Sequence, residues 1–245
     1  MNGSAPPPSL RSTVDVLTPV HKGLRAMIYD LGGRLQTLDF SDAIATDALI
    51  ADLKHEFGPG GAPRCVLCLL HRHAGHEDMF AFPKMRAFDA GLVDALYRDH
   101  LAFTFDLAEI ERAADALRAL PTPDARIAGG RALTLRVNRF FARYLAHLNR
   151  EEAELVPLMQ QHLTDAEQLS MRAAAEQSMA PEVLAEFQRW IFRSLDVHEL
   201  EATFRAIVDQ APPEVAHRLL ALGAASVPAE RWARVEAALG RADRP

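Results

Sequence analysis

The chain has only two cysteines in 245 residues, Cys65 and Cys68, too few for a disulfide scaffold or for a thiolate zinc site. Three residues apart in an apolar run, they read as buried small hydrophobes, with a redox pair as the alternative. No run of about 18 apolar residues occurs, so no membrane span is expected. Positive charge is in deficit: 27 Lys and Arg stand against 33 Asp and Glu. That balance excludes a general binder of phosphate backbones, and no nucleic-acid partner is expected. The start, Met-Asn-Gly-Ser-Ala-Pro-Pro-Pro, has neither the charged region nor the apolar segment of a secretory signal, and the expected location is the cytoplasm. Strand signals are lacking as well.

Two common helical metal motifs are also missing. HExxH requires a second histidine where Phe80 follows His76-Glu77 and where Ala202 follows His198-Glu199. The doubled ExxH of ferritin-like di-iron bundles is reduced to a single pair, Glu214 with His217.

What is present is a doubled pattern: HxxxE, a second acid, then proline. It occurs as His73, Glu77, Asp78 and Pro83, and again as His147, Glu151, Glu152 and Pro157. On a helix, residues i and i+4 share a face one turn apart, so each copy holds an imidazole beside a carboxylate. A histidine about 50 residues upstream accompanies each copy, His21 before the first and His100 before the second. The candidate ligand set is therefore His21, His73, Glu77, His100, His147 and Glu151. Any one of these histidines alone would read as a core residue. Together they imply a metal, because carboxylates buried among Leu and Phe cost several kcal/mol apiece unless paired or ligating.

Imidazole and carboxylate without thiolate suit iron, manganese or zinc. Six such groups are too many for one tetrahedral zinc and leave open positions on two six-coordinate ions, where oxygen, peroxide or nitric oxide fits. Asp78, Asp99 and Glu152 read either as orienting acceptors for the imidazoles or as solvated charge. His76 and Tyr144 read as neighbours of the site rather than ligands, and His71 is weaker still. His162, His198 and His217 have no evident partners.

The periodicity predicts four long helices. The first starts at Thr18-Pro19 and carries His21, Leu24, Ile28, Leu31 and Leu35. A short stretch over 41–53 with Ile44 ends in the Gly- and Pro-rich break at 58–63. The second runs from about Arg64 to Met85, the third carries Tyr97, His100 and Phe103, and the fourth begins near Asp124 or Gly130 and ends near Gln161. An up-and-down four-helix bundle results, a standard scaffold for buried metal sites. Residues 1–18 are expected to be a flexible arm and 19–160 the bundle. Residues 161–245 form a helical C-terminal extension, with Thr164/Glu167 as a capping box, Asp196 as a cap, and Pro181, Pro213 and Pro228 as helix starts.

On His21, on HxxxED with Phe82-Pro83, on Asp99-His100 and on HxxxEE with Pro157, residues about 19–160 resemble the haemerythrin-like, HHE cation-binding family. The resemblance implies a non-haem centre of two iron ions bridged by Glu77 and Glu151, with His21, His73, His100 and His147 as terminal ligands. The oxygen-carrying haemerythrins have histidine where Thr104 stands and aspartate where Glu151 stands. The pattern is closer to the bacterial HHE branch, linked to iron or oxygen sensing, to peroxide or nitric-oxide chemistry and to iron-centre repair. The expected partners are a small diatomic ligand or peroxide, with a protein partner or second copy meeting the extension.

Overall fold

The computed structural model describes residues 10–54 and 65–242, and every regular element among them is helical. Helix α1 (Thr18–Thr37) is started by Asp15 rather than Thr18, since the Asp15 Oδ1 accepts from the amides of Leu17 and Thr18 at 3.0 and 2.9 Å. Pro19 occupies the first turn, where a missing N–H leaves nothing unsatisfied. Helix α2 (Ala43–Lys54) is capped in the same way by Asp42. The break expected at 58–63, and Arg64 with it, lie outside the described residues.

Helix α3 (Val66–His76) passes through a π turn (Glu77–Ala81) into α4 (Phe82–Met85). Helix α5 (Ala90–Arg118) starts at an Asp89 cap. Helix α6 (Pro123–Arg150), capped by Thr122, passes through a second π turn (Glu151–Leu155) into α7 (Val156–His162). These four rods, α1, α3–α4, α5 and α6–α7, form the expected up-and-down bundle.

The two π turns have one cause. Pro83 and Pro157 have no N–H, and in a regular α-helix their rings would press on the carbonyls four residues earlier. Widening the preceding turn relieves this, and the amides of Phe82 and Val156 reach back five residues to the carbonyls of Glu77 and Glu151. Both widened turns begin at a candidate ligand.

The described part of the N-terminal arm is not free. The amides of Arg11 and Ser12 donate to the Gln160 carbonyl at 2.9 and 3.0 Å, Ser12 Oγ donates to Asp165, and Leu17 is buried. The remainder of the arm lies outside the described residues. Cys65 and Cys68 also depart from expectation, being joined as a disulfide at the start of α3 rather than packed as separate thiols. Ile44 and Tyr97 lie on the exposed faces of their helices.

The bundle interior is split in two. The larger cluster contains Leu24, Leu31, Leu70, Phe103, Phe140 and Tyr144; the smaller, beyond the π turns, contains Leu17, Phe82, Met85, Leu96, Leu155 and Met159. The candidate ligands sit between the two.

Five helices follow: α8 (Asp165–Gln177), α9 (Pro181–Ser194), α10 (Val197–Gln210), α11 (Pro213–Ser226) and α12 (Ala229–Ala242). Thr164/Glu167 and Asp196/Glu199 both form capping boxes. Phe192, Leu195, Leu200, Phe204, Val227 and Trp232 give this region a core of its own. It meets the bundle along α9, whose Val183 and Phe187 join the larger bundle cluster, and which lies against α1.

That approach depends on Gly23. A β-carbon there would lie 3.0 Å from the Ile191 amide nitrogen and 3.2 Å from the Trp190 carbonyl carbon, both backbone atoms that cannot swing away. Gly23→Leu is expected to cost about 1–3 kcal/mol by forcing α9 off α1. Gly32 meets nothing within 4 Å, so Gly32→Ala should instead gain up to about 1 kcal/mol from helix propensity. Thermal melting of the two variants tests the pair. Equal shifts of the same sign would contradict the close packing.

Candidate metal centre

All six residues singled out by spacing converge on one buried point between the two bundle clusters. His21 comes from α1, His73 from α3, His100 from α5 and His147 from α6, while Glu77 and Glu151 stand at the first positions of the π turns. Each is no more than 5 per cent exposed. They fall into two groups of four, His21, His73, Glu77 and Glu151 on one side, and Glu77, His100, His147 and Glu151 on the other. Within each group one donor atom per residue lies within 4.8 Å of all the rest. The two carboxylates are common to both groups.

The distances give the arrangement in detail. Glu77 Oε1 is 3.1 Å from His73 Nε2 and 3.6 Å from His21 Nε2, and its Oε2 is 3.5 Å from His100 Nε2. Glu151 Oε1 is 3.1 Å from His147 Nε2, and its Oε2 is 3.5 Å from His21 Nε2. The Nε2 atoms of His100 and His147 face each other at 2.9 Å. Both oxygens of both glutamates, with the Nε2 atoms of His21 and His73, are buried and lack an aligned hydrogen-bond partner. Buried polar atoms are normally satisfied, and six unsatisfied atoms pointing at one spot fit a cation. Oxygen and imidazole nitrogen without thiolate are a donor set for iron, manganese or zinc.

The outer nitrogens explain why the inner ones point inward. His21 Nδ1 is 3.0 Å from Glu152 Oε1, His100 Nδ1 is 2.8 Å from Asp78 Oδ1, and His147 Nδ1 is 3.3 Å from Asp99 Oδ2. A carboxylate can only accept, so each Nδ1 donates and the Nε2 faces the centre, fixing tautomer and ring orientation. Of the two readings of Asp78, Asp99 and Glu152, the structure supports orienting acceptors. The second acid of each motif therefore acts across the bundle, Asp78 on α5 and Glu152 on α1. Arg25 holds Glu152 in turn, its Nη1 donating at 2.6 Å.

Electrostatics without a metal follow from this crowding. Burial alone would lower the His21 pKa, but contacts with Glu152 and Glu77 and the charge of Glu151 outweigh it and push the value up to about 9. Burial likewise opposes ionisation of Glu77, yet His73, His21 and His100 together hold it well below the usual carboxylate range. For His147, burial is outweighed by Glu151, Glu77 and Asp99, and the pKa rises. Glu152 is brought down to about 2 against its own desolvation by His21 and Arg25. In the metal-free chain, protons take the place of cations.

The neighbours are now placed. Tyr144 is buried and its hydroxyl donates to the Leu70 carbonyl at 2.8 Å, so it fills core beside the site. His76 turns away: its Nε2 pairs with Ser178 Oγ at 3.2 Å, and burial with the charges of His73 and Arg72 lowers its pKa to about 4. Thr104 Oγ1 donates back to the His100 carbonyl at 3.1 Å. His162 stacks on Phe88, remote from the cluster.

A trough of about 760 Å³ runs from His73 and Glu77 along α1, α8, α9 and α10, lined by Val20, Met179, Phe187, Ile191 and Ile207 among others. No local sequence signal marks it, because its walls come from helices far apart in the chain.

A helical bundle enclosing a buried four-histidine, two-glutamate cluster defines a metal-binding protein. Residues 66–159 match the model of the Hemerythrin HHE cation binding domain. The match takes in His73, Glu77, His100, His147 and Glu151; His21, from α1, completes the cluster from outside it. No curated protein and no solved structure matches the chain. Among the described residues no helix is long and apolar enough to cross a membrane.

Proposed function

We propose that the chain holds a non-haem centre of two iron ions and binds or senses dioxygen or a related small ligand there. The observation that carries this is the division of the cluster into two four-donor groups sharing Glu77 and Glu151. One group would hold each ion, with the glutamates common to both. Four donors per ion leave room on a six-coordinate metal, and Thr104, tied to its own helix, supplies no further nitrogen. Two adjacent irons so held offer a redox-active binding place for oxygen, nitric oxide or peroxide. The chain's own residues aim four imidazoles inward, pack Phe82 and Phe103 against those of His100 and His147, and give the Nδ1 protons of His21, His100 and His147 carboxylate acceptors. Manganese or zinc suits the same donors, so the metal must be measured.

Plasma mass spectrometry on protein expressed without added metal is the test. Near two irons per chain is the expected result; zinc, a single ion, or none bound to folded protein would overturn it.

The trough favours a second reading, a di-iron enzyme. Its lining takes in His73 and Glu77 beside largely apolar side chains of α1, α9 and α10, room for a substrate next to the cluster. A sensor changes its spectrum once per iron pair on meeting peroxide or nitric oxide, whereas an enzyme consumes many equivalents. A role in iron handling or repair predicts instead that iron leaves readily to a chelator or acceptor. The helices beyond residue 160 build much of the trough and are the natural surface for a protein partner or a second copy.

A further inference from the structure

Cys65 and Cys68 lie outside the metal centre, and their surroundings are unequal. Cys65 is fully buried, its Sγ 3.6 Å from the Leu53 carbonyl oxygen. Cys68 is part-exposed and lines a groove of about 690 Å³ with His71, Arg72, Thr104 and Glu111. Arg72, one turn beyond Cys68, has a buried Nε without a hydrogen-bond partner in this groove. Cys65 is the N-cap of α3, and its sulfur accepts from the Cys68 amide at 3.1 Å.

We infer that the pair is a thiol-exchange site for small carboxylate-bearing thiols, with Cys68 the sulfur attacked and Cys65 the leaving thiolate. Access decides the first assignment, since an incoming thiolate can reach Cys68 from the groove and is kept from Cys65 by α2 and α3. The cap decides the second. A thiolate at a helix N-terminus is stabilised by the first-turn amides and the helix dipole, and the better-stabilised thiolate leaves faster. Arg72 sets the ligand class, for its positive charge lines the same groove as Cys68 and favours a carboxylate on the incoming molecule.

The chemistry balances without any other reactant. An external thiolate attacks Cys68 Sγ, the Cys65–Cys68 bond breaks, and its electron pair goes to Cys65 Sγ, which takes a proton from solvent. A second thiol attacks the external sulfur of the mixed disulfide, releasing the small disulfide and the Cys68 thiolate. Two external thiols are oxidised and one protein disulfide is reduced; a small disulfide drives the reverse.

The test uses the full chain in graded mixtures of reduced and oxidised glutathione, with alkylation and intact mass. Both thiols are expected to appear together in one transition. Cys65→Ser, which keeps a capping acceptor, should collect one glutathione per chain on Cys68. Cys68→Ser should form its adduct at least roughly tenfold more slowly, because its sole thiol is buried. Arg72→Gln is expected to slow the Cys65→Ser adduct severalfold with glutathione but not with uncharged 2-mercaptoethanol. Equal adduct rates on Cys65 and Cys68, or a disulfide that stays closed across the whole series in folded protein, would overturn the assignment. Should either serine variant fail to fold, peptide mapping of the first adduct on the wild-type chain decides between the two sulfurs.

Discussion

Glu151→Ala is expected to take the metal content from near two ions per chain to near none and to lower the melting temperature sharply. Glu151 belongs to both four-donor groups, so its removal costs each ion a ligand, whereas His73→Ala or His147→Ala weakens chiefly one side. The stability loss has a second source. With the metal gone, Glu77 and four imidazoles remain in a dry pocket, and His147 and His21 lose the carboxylate that faced them at 3.1 and 3.5 Å. Breaking a buried ionic arrangement by deleting one member costs about 3–5 kcal/mol, and the lost metal adds its own contribution. Asp78→Asn provides the contrast. It leaves all six inner groups in place and disturbs only the acceptor of His100 Nδ1, so metal affinity should fall by roughly ten- to a hundredfold. Metal analysis and calorimetry on these variants test this: a Glu151→Ala protein with two ions and an unchanged melting temperature would remove this cluster as the metal site.

The inner six residues were legible in the sequence because helical geometry is local. A spacing of four places His73 over Glu77 and His147 over Glu151 without any knowledge of the fold. The repeat then supplies the reason for two such pairs to meet. The caps at Thr164 and Asp196 were legible on the same ground, a capping box being written within four residues. The π turns left a visible trace, a proline six residues after each glutamate, but regular α periodicity does not reveal what that proline does to the turn before it. The roles of Asp78 and Glu152 needed the bundle, because each acts on a different helix. The docking of α9 on α1 at Gly23, the seating of residues 11–17 on Gln160, and the trough all join segments separated by more than a hundred residues. No local pattern encodes such pairings.

The metal-free chain is expected to lose stability as pH rises from about 6.5 to 9. His21 has its pKa raised from 6.5 to about 9, so it binds its proton more tightly folded than unfolded. Its contribution is fully present below the unfolded value and is lost as pH climbs through the folded one. The rise corresponds to on the order of 3 kcal/mol, and His147, also raised, adds in the same direction. Glu77 has the opposite sign. Its lowered pKa gives stability present above the ordinary glutamate value and lost as pH falls through the folded one. The metal-free protein should therefore be most stable between roughly pH 4.5 and 6.5. A bound cation reverses the alkaline side, because an imidazole nitrogen that ligates cannot also hold a proton. Iron binding should strengthen as pH rises and the proton leaves His21, and the loaded protein should melt at nearly the same temperature from pH 7 to 9. Melting curves of chelator-treated and iron-loaded protein across this range test both halves. A fall of roughly 6–12 °C for the metal-free form, at about 2–4 °C per kcal/mol, is expected beside a flat loaded curve. A metal-free protein equally stable at pH 6.5 and 9 would show that His21 is not held as a cation by Glu77, Glu151 and Glu152, and would leave the carboxylates of the centre without their stand-in for the metal.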